Sequence, residues 1–321
     1  MATGTGRHYR IWARSNSCLS QPAGGFILLP TPTPIRMAGR LLRVTAVFSC
    51  TVLALVGILR VLEHFALYHP HPYRANYQQL LSGNVVELQF ETNSGRQTAF
   101  YVPPRNKSVL PDRIWVAFCG NGALALDWLP LTAEDQTHGN AFLLIEYPGY
   151  GNSEGWPNIA NMRFAADGAL LALASRLKTE LKVLEPRLAT MGHSLGAAAA
   201  LDFAIRHAQL NRIILLAPFT SVKEEAAVFV GPLSRLLGEN YDNRTALRQL
   251  ALRRPPPRVM IFHGMQDQMI PPRMSYELAA EFSGFVTARG IPDATHDTVG
   301  IDAADEILAA LADDTKDSVT R

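Results

Sequence analysis

The chain has 321 residues, of which 48% are apolar and three are cysteines. This composition excludes a disordered or collagen-like protein and a small domain built on disulfides. The formal charge of +2 hides an asymmetry: the first 62 residues contain seven Arg and no acidic residue, whereas the rest carries 23 basic and 28 acidic residues. A basic leader before an acidic body predicts membrane targeting and excludes a nucleic-acid-binding domain.

The first segment of the leader, residues 1–36, is rich in proline and glycine and is expected to be disordered. Met37 opens a basic and then apolar stretch, which is how a signal-anchor begins. We therefore expect that Met37 is the true start of the protein and that residues 1–36 lie upstream of it.

Residues 37–62 are the predicted anchor. No charge occurs from Val44 to Leu59, and the apolar run continues past Arg60 to Leu62, so that residues 44–62 approach the ~20 residues that span a bilayer. Arginines before the run favour a cytoplasmic N-terminal side and hence a periplasmic or luminal body. A cleaved signal peptide, which would leave a secreted protein, and a transit peptide are the alternatives.

The body alternates between two kinds of pattern after a connector at residues 63–84. The first two strands are predicted as an antiparallel hairpin around Asn93-Ser94-Gly95, and the later strands are apolar runs typical of a buried parallel sheet. The predicted strands are Val85–Thr92, Gln97–Val102, Ile114–Cys119, Ala141–Tyr147, Leu188–Met191, Ile213–Ala217, Val259–His263 and Phe285–Ala288. Helical periodicity covers Arg163–Leu184, Leu195–His207, Met274–Phe282 and Ala303–Leu311.

Strand and helix alternation predicts one α/β domain over residues 85–312, with a mostly parallel eight-stranded sheet and helices on both faces. About forty residues separate the sixth and seventh strands, which is more than a crossover helix needs. We therefore expect a small helical lid at about residues 219–256, and a short tail at 313–321.

A nucleophile elbow is predicted at Gly192-His193-Ser194-Leu195-Gly196, which matches G-x-S-x-G. The motif follows an apolar strand and opens an Ala-rich helix. Small residues on both sides allow the sharp turn that exposes the serine, and the helix N-terminus points N–H groups at developing negative charge. Ser194 is the candidate nucleophile.

A serine nucleophile needs a base and an acid that orients the base, and in this type of site they follow the serine in the order acid, then histidine. Asp267 lies just beyond the strand Val259–His263 and is the candidate acid; Asp242, inside the insertion, is the second candidate. His296 follows the last strand and is the candidate base. The remaining histidines lie in the leader or connector, next to the nucleophile, within or before strands, or at a helix end: His8, His64, His69, His71, His138, His193, His207 and His263. The backbone is expected to direct His193, next to the nucleophile, away from the site.

Three further segments accompany the elbow: Cys119-Gly120-Asn121-Gly122, the run Glu-Tyr-Pro-Gly-Tyr-Gly-Asn-Ser-Glu-Gly at residues 146–155, and Ala217-Pro218-Phe219-Thr220-Ser221. As a set they resemble the α/β-hydrolase superfamily, in particular its membrane-anchored single-domain branch of serine aminopeptidase and lysophospholipase-like hydrolases. The resemblance covers roughly residues 85–312.

An oxyanion hole needs two backbone N–H donors. The residue after the nucleophile, Leu195, supplies one, and the resemblance implies Asn121 as the other. The family usually has His where Cys119 stands, so this loop is expected to differ in detail. Residues 149–153, which include Tyr150, are expected to be a structural turn that shapes the pocket wall. Trp128 and Trp156 are candidates for lining the pocket, with core or surface packing as the alternative.

The sequence thus predicts a membrane-anchored serine hydrolase that acts on an ester, thioester or amide, with lipids or acylated molecules as candidate substrates and a peptidase included. One alternative is a catalytically silent binding protein of the same fold. Another is a dinucleotide-dependent oxidoreductase, because Gly120–Ala125 matches G-x-G-x-x-A and Glu146 ends the next strand. Motifs for metal or phosphate binding are not evident, so we expect no cofactor.

Overall fold

The structure is a computed structural model that describes residues 34–74, 76–81, 83–106 and 108–312. These residues divide into two units, 34–54 and 55–312. Most of the predicted leader (1–33) and the predicted tail (313–321) lie outside the described residues. The first unit is helical, and its helix continues into the second unit.

The second unit is built on one sheet of eight strands, in the order β1-β2-β4-β3-β5-β6-β7-β8. β1 pairs antiparallel with β2, and β2 with β4, whereas all other pairs are parallel. The strands are β1 Val86–Thr92, β2 Gly95–Val102, β3 Arg113–Phe118, β4 Asn140–Ile145, β5 Leu188–His193, β6 Arg212–Leu216, β7 Arg258–Gly264 and β8 Val286–Ile291. The predicted fold class, hairpin start and strand number are therefore confirmed.

Helices cover both faces of this sheet. They are α1 Pro34–Leu67, α2 Leu129–Glu134, α3 Ile159–Arg176, α4 Leu181–Leu184, α5 Leu195–Arg206, α6 Val222–Val230, α7 Asn243–Leu250, α8 Arg273–Glu281, α9 Val299–Asp302 and α10 Ala304–Ala312. Alternation along β3 shows the two layers: Val116 packs in a cluster with residues of α3, α5 and α8, whereas Trp115 packs in a second cluster with residues of α2, α9 and α10.

One predicted helix is divided in the structure. The pattern predicts a single helix over Arg163–Leu184, but α3 ends at Arg176 and α4 begins at Leu181. Lys178 between them has φ 51°, in the left-handed region. A residue in that conformation cannot continue a right-handed helix, so the chain turns there.

The insertion between β6 and β7 contains α6, a 3₁₀-helix at Gly231–Leu236 and α7. Each α-helix starts at a polar cap: Ser221 Oγ accepts from the Glu224 N–H, and Asp242 Oδ1 accepts from the Thr245 N–H. Asp242, the second candidate for the acid, is thus a helix cap. We call residues 217–257 the cap insertion.

Helix α1 is the helix among the described residues that is long and apolar enough to cross a membrane. An 18-residue stretch within its span of Leu42–Leu67 is apolar, with a mean hydropathy of 2.2, and has no buried residue. The predicted span, 44–62, falls inside Leu42–Leu67. From Arg60 onward the helix contacts the cap insertion, which belongs to the same unit.

Candidate active site

Ser194 lies at the junction of β5 and α5 with φ 56°. A positive φ is strained for a residue with a Cβ, and only close packing around the turn sustains it. Gly192 and Gly196 make that packing possible: a Cβ on Gly192 would overlap the carbonyl of Gly196, and one on Gly196 would overlap the carbonyls of Phe118 and Cys119. The elbow therefore presses directly against the end of β3.

The structure brings the predicted nucleophile, base and acid together. Ser194 Oγ lies 3.0 Å from His296 Nε2, and His296 Nδ1 lies 2.7 Å from Asp267 Oδ2. All three side chains are buried. A carboxylate only accepts, so Nδ1 carries the imidazole proton and Nε2 is free to accept the proton of Ser194.

Both carboxylate oxygens of Asp267 accept hydrogen bonds. Its Oδ1 accepts from the backbone N–H groups of Met269 and Ile270, each at 2.8 Å. Its Oδ2 accepts from His296 and from His263. Burial alone would raise the pKa of this carboxyl group, but the hydrogen bonds from the two histidines and from Ile270 together hold the pKa well below its usual range. In the folded protein at neutral pH, Asp267 is therefore ionised.

His263 is a site residue that the sequence reasoning set aside because it lies within a strand. Its Nε2 donates to Asp267 Oδ2 at 3.1 Å and to the Ile270 carbonyl at 3.0 Å. Its Nδ1 lies 2.6 Å from Ser275 Oγ and accepts from that hydroxyl group. One buried imidazole thus links the acid to β7 and α8. Its position four residues before Asp267, at the carboxyl end of β7, is the sequence signal for this contact.

His193 packs on the other side of the base. The expectation was that the backbone directs this side chain away from the site, but its Nε2 donates to the His296 carbonyl at 2.9 Å and the two rings lie 4.9 Å apart. Burial and the neighbouring His296 lower the pKa of His193 to about 4. His193 is therefore neutral at physiological pH and fixes the backbone of the loop that carries His296.

The loop after β3 lies against the elbow, as an oxyanion hole requires. A Cβ on Gly120 would sit 3.1 Å from His193 Nδ1 and 3.7 Å from Ser194 Cβ. Asn121, the second predicted donor, is the next residue. Leu195, the first predicted donor, is the first residue of α5, where backbone N–H groups have no partner within the helix.

Two tyrosines hold this loop in place. Tyr147 donates to the Cys119 carbonyl at 2.7 Å, and Tyr150 donates to the Asn121 carbonyl at 2.6 Å. The backbone N–H of His69, in the connector, donates to both Tyr150 Oη and the Asn121 carbonyl. The segment with Tyr150, expected to be a structural turn, therefore fixes the loop even though Cys119 replaces the usual histidine.

Glu146 fills the place where a dinucleotide-binding protein would hold its ribose acid, but its carboxyl group is occupied. It accepts from the Tyr73 hydroxyl and from the Ala125 N–H, and burial raises its pKa to about 8 against the lowering effect of these bonds. The glycine motif at 120–125 leads into a short 3₁₀-helix and not into the long helix of a nucleotide fold. The geometry therefore does not fit the dinucleotide alternative.

A cavity of about 480 Å³ adjoins Gly120 and His193. Its wall is largely apolar and includes Trp128, Leu131 and Leu216, and three carboxylate side chains also line it: Asp127, Glu134 and Asp297. Neither Lys nor Arg is among the described residues that line it. Trp128, a candidate for the pocket wall, is thus part of it, whereas Trp156 stacks on His64. The described residues form no cluster suited to a metal ion.

Comparison with known proteins finds a family match and several relatives. The family model for serine aminopeptidase, S33, matches residues 116–256. An uncharacterized protein of Mycobacterium tuberculosis (strain H37Rv) is 32% identical over 183 residues, which are 54% of this chain and 62% of that protein. An uncharacterized membrane protein of Saccharomyces cerevisiae is 29% identical over 42% of this chain and 46% of its own length. The chain thus spans less than two thirds of the length of either relative.

Solved structures share the fold at low identity. The crystal structure of an α/β-hydrolase from Vibrio vulnificus matches with a TM-score of 0.59 and 20% identity, over 79% of this chain and 93% of that one. At this identity the likeness shows the fold. The chain therefore has the α/β-hydrolase fold, and its residues 116–256, which include the elbow, match the serine aminopeptidase family.

Proposed function

We propose that the protein is a serine hydrolase that cleaves a carboxylic ester, thioester or amide through an acyl-enzyme. The observation that carries the proposal is the continuous hydrogen-bond chain from Ser194 through His296 to Asp267 at a strained elbow. A structural serine needs neither a positive φ nor a buried histidine with a free acceptor nitrogen. The serine aminopeptidase family match supports the same class of chemistry.

The reaction follows from the atoms present. His296 Nε2 takes the proton of Ser194 as Oγ attacks the carbonyl carbon, and Asp267 stabilises the resulting imidazolium. Backbone N–H groups of Leu195 and Asn121 bind the oxyanion, and each such donor is worth about 100- to 1,000-fold in rate. The imidazolium then protonates the leaving group, and a water activated by His296 releases the acyl group from Ser194.

The cavity beside the site favours a neutral or cationic acyl substrate. Its apolar wall suits an acyl chain, and the carboxylates of Asp127, Glu134 and Asp297 repel a substrate that carries its own carboxylate or phosphate there. We infer that neutral esters and thioesters are turned over faster than anionic ones of the same length.

We also propose that α1 anchors the protein in a membrane through residues 44–62, with the hydrolase domain on the extracytoplasmic side. The support is the apolarity and length of the helix, the arginines that precede it, and a relative named as a membrane protein. Sequencing of the mature N-terminus distinguishes this anchor from a cleaved signal.

The test of the hydrolase is Ser194→Ala. We expect it to abolish labelling by a fluorophosphonate probe and to lower turnover of short p-nitrophenyl esters by at least about 10⁴-fold, because it removes the hydroxyl group that forms the acyl-enzyme. Ser175→Ala, an exposed serine on α3, is the matched control and should keep full activity. Turnover that persists in Ser194→Ala overturns the assignment, and a wild type that never labels favours the silent binding protein.

A further inference from the structure

The C-terminal end of helix α1, from Arg60 to Leu67, is bound tightly by the cap insertion. We call this end the helix foot. Glu63 is buried, and its carboxylate accepts from the backbone N–H groups of Gly238 and Glu239 at 2.7 Å each. Arg60 completes the contact: its Nη1 donates to Glu63 at 2.7 Å and to the Leu236 carbonyl at 3.2 Å. We call these contacts the foot clamp. They fix the position of the cap insertion along the axis of helix α1.

A second set of contacts makes the arrangement rigid. Tyr68 donates to Glu239 at 3.0 Å, and the same carboxylate accepts from the Ile159 N–H at the start of α3. His64 stacks on Trp156 with ring centroids 3.9 Å apart. The helix foot is therefore bound to both the cap insertion and the body of the hydrolase domain.

Beside the clamp, the 3₁₀-helix at Gly231–Leu236 presents apolar side chains to solvent. Leu233 and Leu236 are three residues apart, which places them on one side of a 3₁₀-helix, and they are 66% and 56% exposed. Val230 just before them is 49% exposed. Large apolar side chains are usually buried on folding, so a group of exposed ones marks a contact surface. We call Val230, Leu233 and Leu236 the cap tip.

The position of the cap tip identifies its partner. With residues 44–59 in the hydrocarbon of a bilayer, Arg60 lies at the interface, where its side chain reaches polar groups. The Leu236 carbonyl is bonded to that same Arg60, so the cap tip lies at the same level. On the helix foot, Val61, Leu62 and Phe65 are exposed as well, and Arg235, between Leu233 and Leu236 in the chain, is also exposed. Apolar side chains beside a basic one are the composition of surfaces that rest in lipid headgroups.

We propose that the cap tip is a membrane-contacting surface, and that the foot clamp holds it in the interface of the bilayer that α1 enters. This proposal rests on the proposed anchor and is independent of the proposed hydrolysis. It assigns a lipid partner to the cap insertion.

The experiment uses the full chain in phosphatidylcholine vesicles with Cys18 and Cys50 replaced by Ser; Cys119 is buried and remains. An environment-sensitive fluorophore is attached at Leu233→Cys, at Leu53→Cys within the apolar span, or at Val109→Cys. Val109 is exposed and precedes β3, outside both helix α1 and the cap insertion. Brominated lipids then quench the probes that touch the bilayer.

We expect most of the emission to be lost at positions 53 and 233 and none at position 109. Glu63→Ala, which removes the acceptor of the foot clamp, should shift position 233 toward the unquenched value while position 53 stays quenched. Glu63→Gln, which keeps an acceptor oxygen, should shift it less.

Quenching at position 53 without quenching at position 233 overturns the proposal and leaves the anchor intact. Quenching at neither position overturns the anchor itself. A probe at position 233 that is shielded from water without bromine quenching, in proportion to the protein concentration in the vesicle, assigns the tip to a second copy of the chain and also overturns the proposal.

Discussion

Asp267 joins two histidines through a single oxygen. His296 approaches Oδ2 from the side of the nucleophile, and His263 approaches it from within β7. Because His263 is itself tied to Ser275 and to the Ile270 carbonyl, it restricts the carboxylate to one orientation. The direction in which His296 presents Nε2 to Ser194 is therefore determined by a residue that touches no substrate.

The first prediction concerns this positioning role. His263→Ala removes a hydrogen bond to a buried carboxylate, which is worth about 1.5–3 kcal/mol, so kcat should fall by about 10- to 100-fold. KM should stay within about twofold, because His263 lies beneath the site and not in the cavity. Steady-state kinetics with a p-nitrophenyl ester separates the two constants.

His263→Gln is the matched variant, since its amide N–H can reach the same carboxylate. It should recover part of the lost kcat. If both variants lower kcat only as far as they lower the melting temperature, the role of His263 is structural and the positioning role is wrong.

The parts of this site that could be predicted from the sequence are those with a local signal. Ser194 stands in a motif of five residues, and Asp267 and His296 each follow a strand, so their meeting could be predicted from chain order. The contacts of His193 and His263 could not, because alternation in a strand does not tell which neighbouring loop a side chain meets. The segment with Tyr150 was predicted to be structural, but its contact with the loop after β3 became visible only in three dimensions.

At the level of elements, the site depends on the contact between the elbow and the end of β3. Gly196 passes so close to the carbonyls of Phe118 and Cys119 that no side chain fits between them. The same contact sets the distance between the two proposed backbone donors, Leu195 and Asn121. The packing of the elbow against β3 and the geometry of the proposed oxyanion hole therefore depend on the same contact.

Gly196→Ala tests this feature. The added Cβ must push α5 and β3 apart, which should cost about 1–3 kcal/mol of stability. It should also displace one oxyanion donor and lower kcat by about 100-fold or more. Thermal unfolding and kinetics on the same preparation measure both effects.

Gly122→Ala is the control in the loop after β3. No atom lies within 4 Å of the position that a Cβ would take there, so the substitution should leave stability and kcat nearly unchanged. Equal kinetic losses in the two variants would contradict the importance of the close approach.

The order and type of elements could be predicted, whereas their ends could not. Apolar runs and the turn at Asn93-Ser94-Gly95 indicated all eight strands, with boundaries one to several residues from those observed. Apolar periodicity continued across Lys178, although the backbone turns there, since periodicity records which side chains are buried and not the sign of φ. The helical content of the cap insertion was likewise predicted, but its attachment to Glu63 was not, because periodicity does not tell which distant segment a helix contacts.

On the scale of the whole molecule, Glu146 connects three separate parts of the chain. Its carboxyl group ties the end of β4 to Tyr73 in the connector and to Ala125, which follows the loop after β3. With a pKa of about 8, against 4.5 for an ordinary glutamate, the group holds its proton in the folded protein at neutral pH. Folding therefore takes up a proton at this position.

A pH dependence of stability follows. Below about pH 4.5 the carboxyl group is protonated in both states, and as the pH rises toward 8 only the folded state keeps the proton. The free energy of unfolding contributed by Glu146 therefore falls across this window. Glu146→Gln, which mimics the protonated form, should be more stable than the wild type at pH 8, and the two should converge near pH 5.

The melting temperature in one detergent, measured from pH 5 to pH 8, checks this expectation. His193 acts in the opposite direction, because its depressed pKa makes stability rise between about pH 4 and 6.5, so the difference between variant and wild type at each pH is the relevant quantity. Glu180→Gln, at an exposed glutamate, is the control. A difference that does not grow with pH would contradict the buried, protonated state of Glu146.

The order of the strands has a consequence for how the protein is made. Ser194 and His296 are 102 positions apart, and His296, the proposed base, is carried by the loop after β8, the last strand of the sheet. A ribosome that adds about 5–20 residues per second delivers the serine roughly 5–20 s before its base. During that interval the nascent chain holds the elbow but no activated nucleophile. Reactivity of Ser194 toward a fluorophosphonate therefore reports whether β8 has docked on β7. Labelling of arrested nascent chains of increasing length would show the chain length at which the serine first becomes reactive.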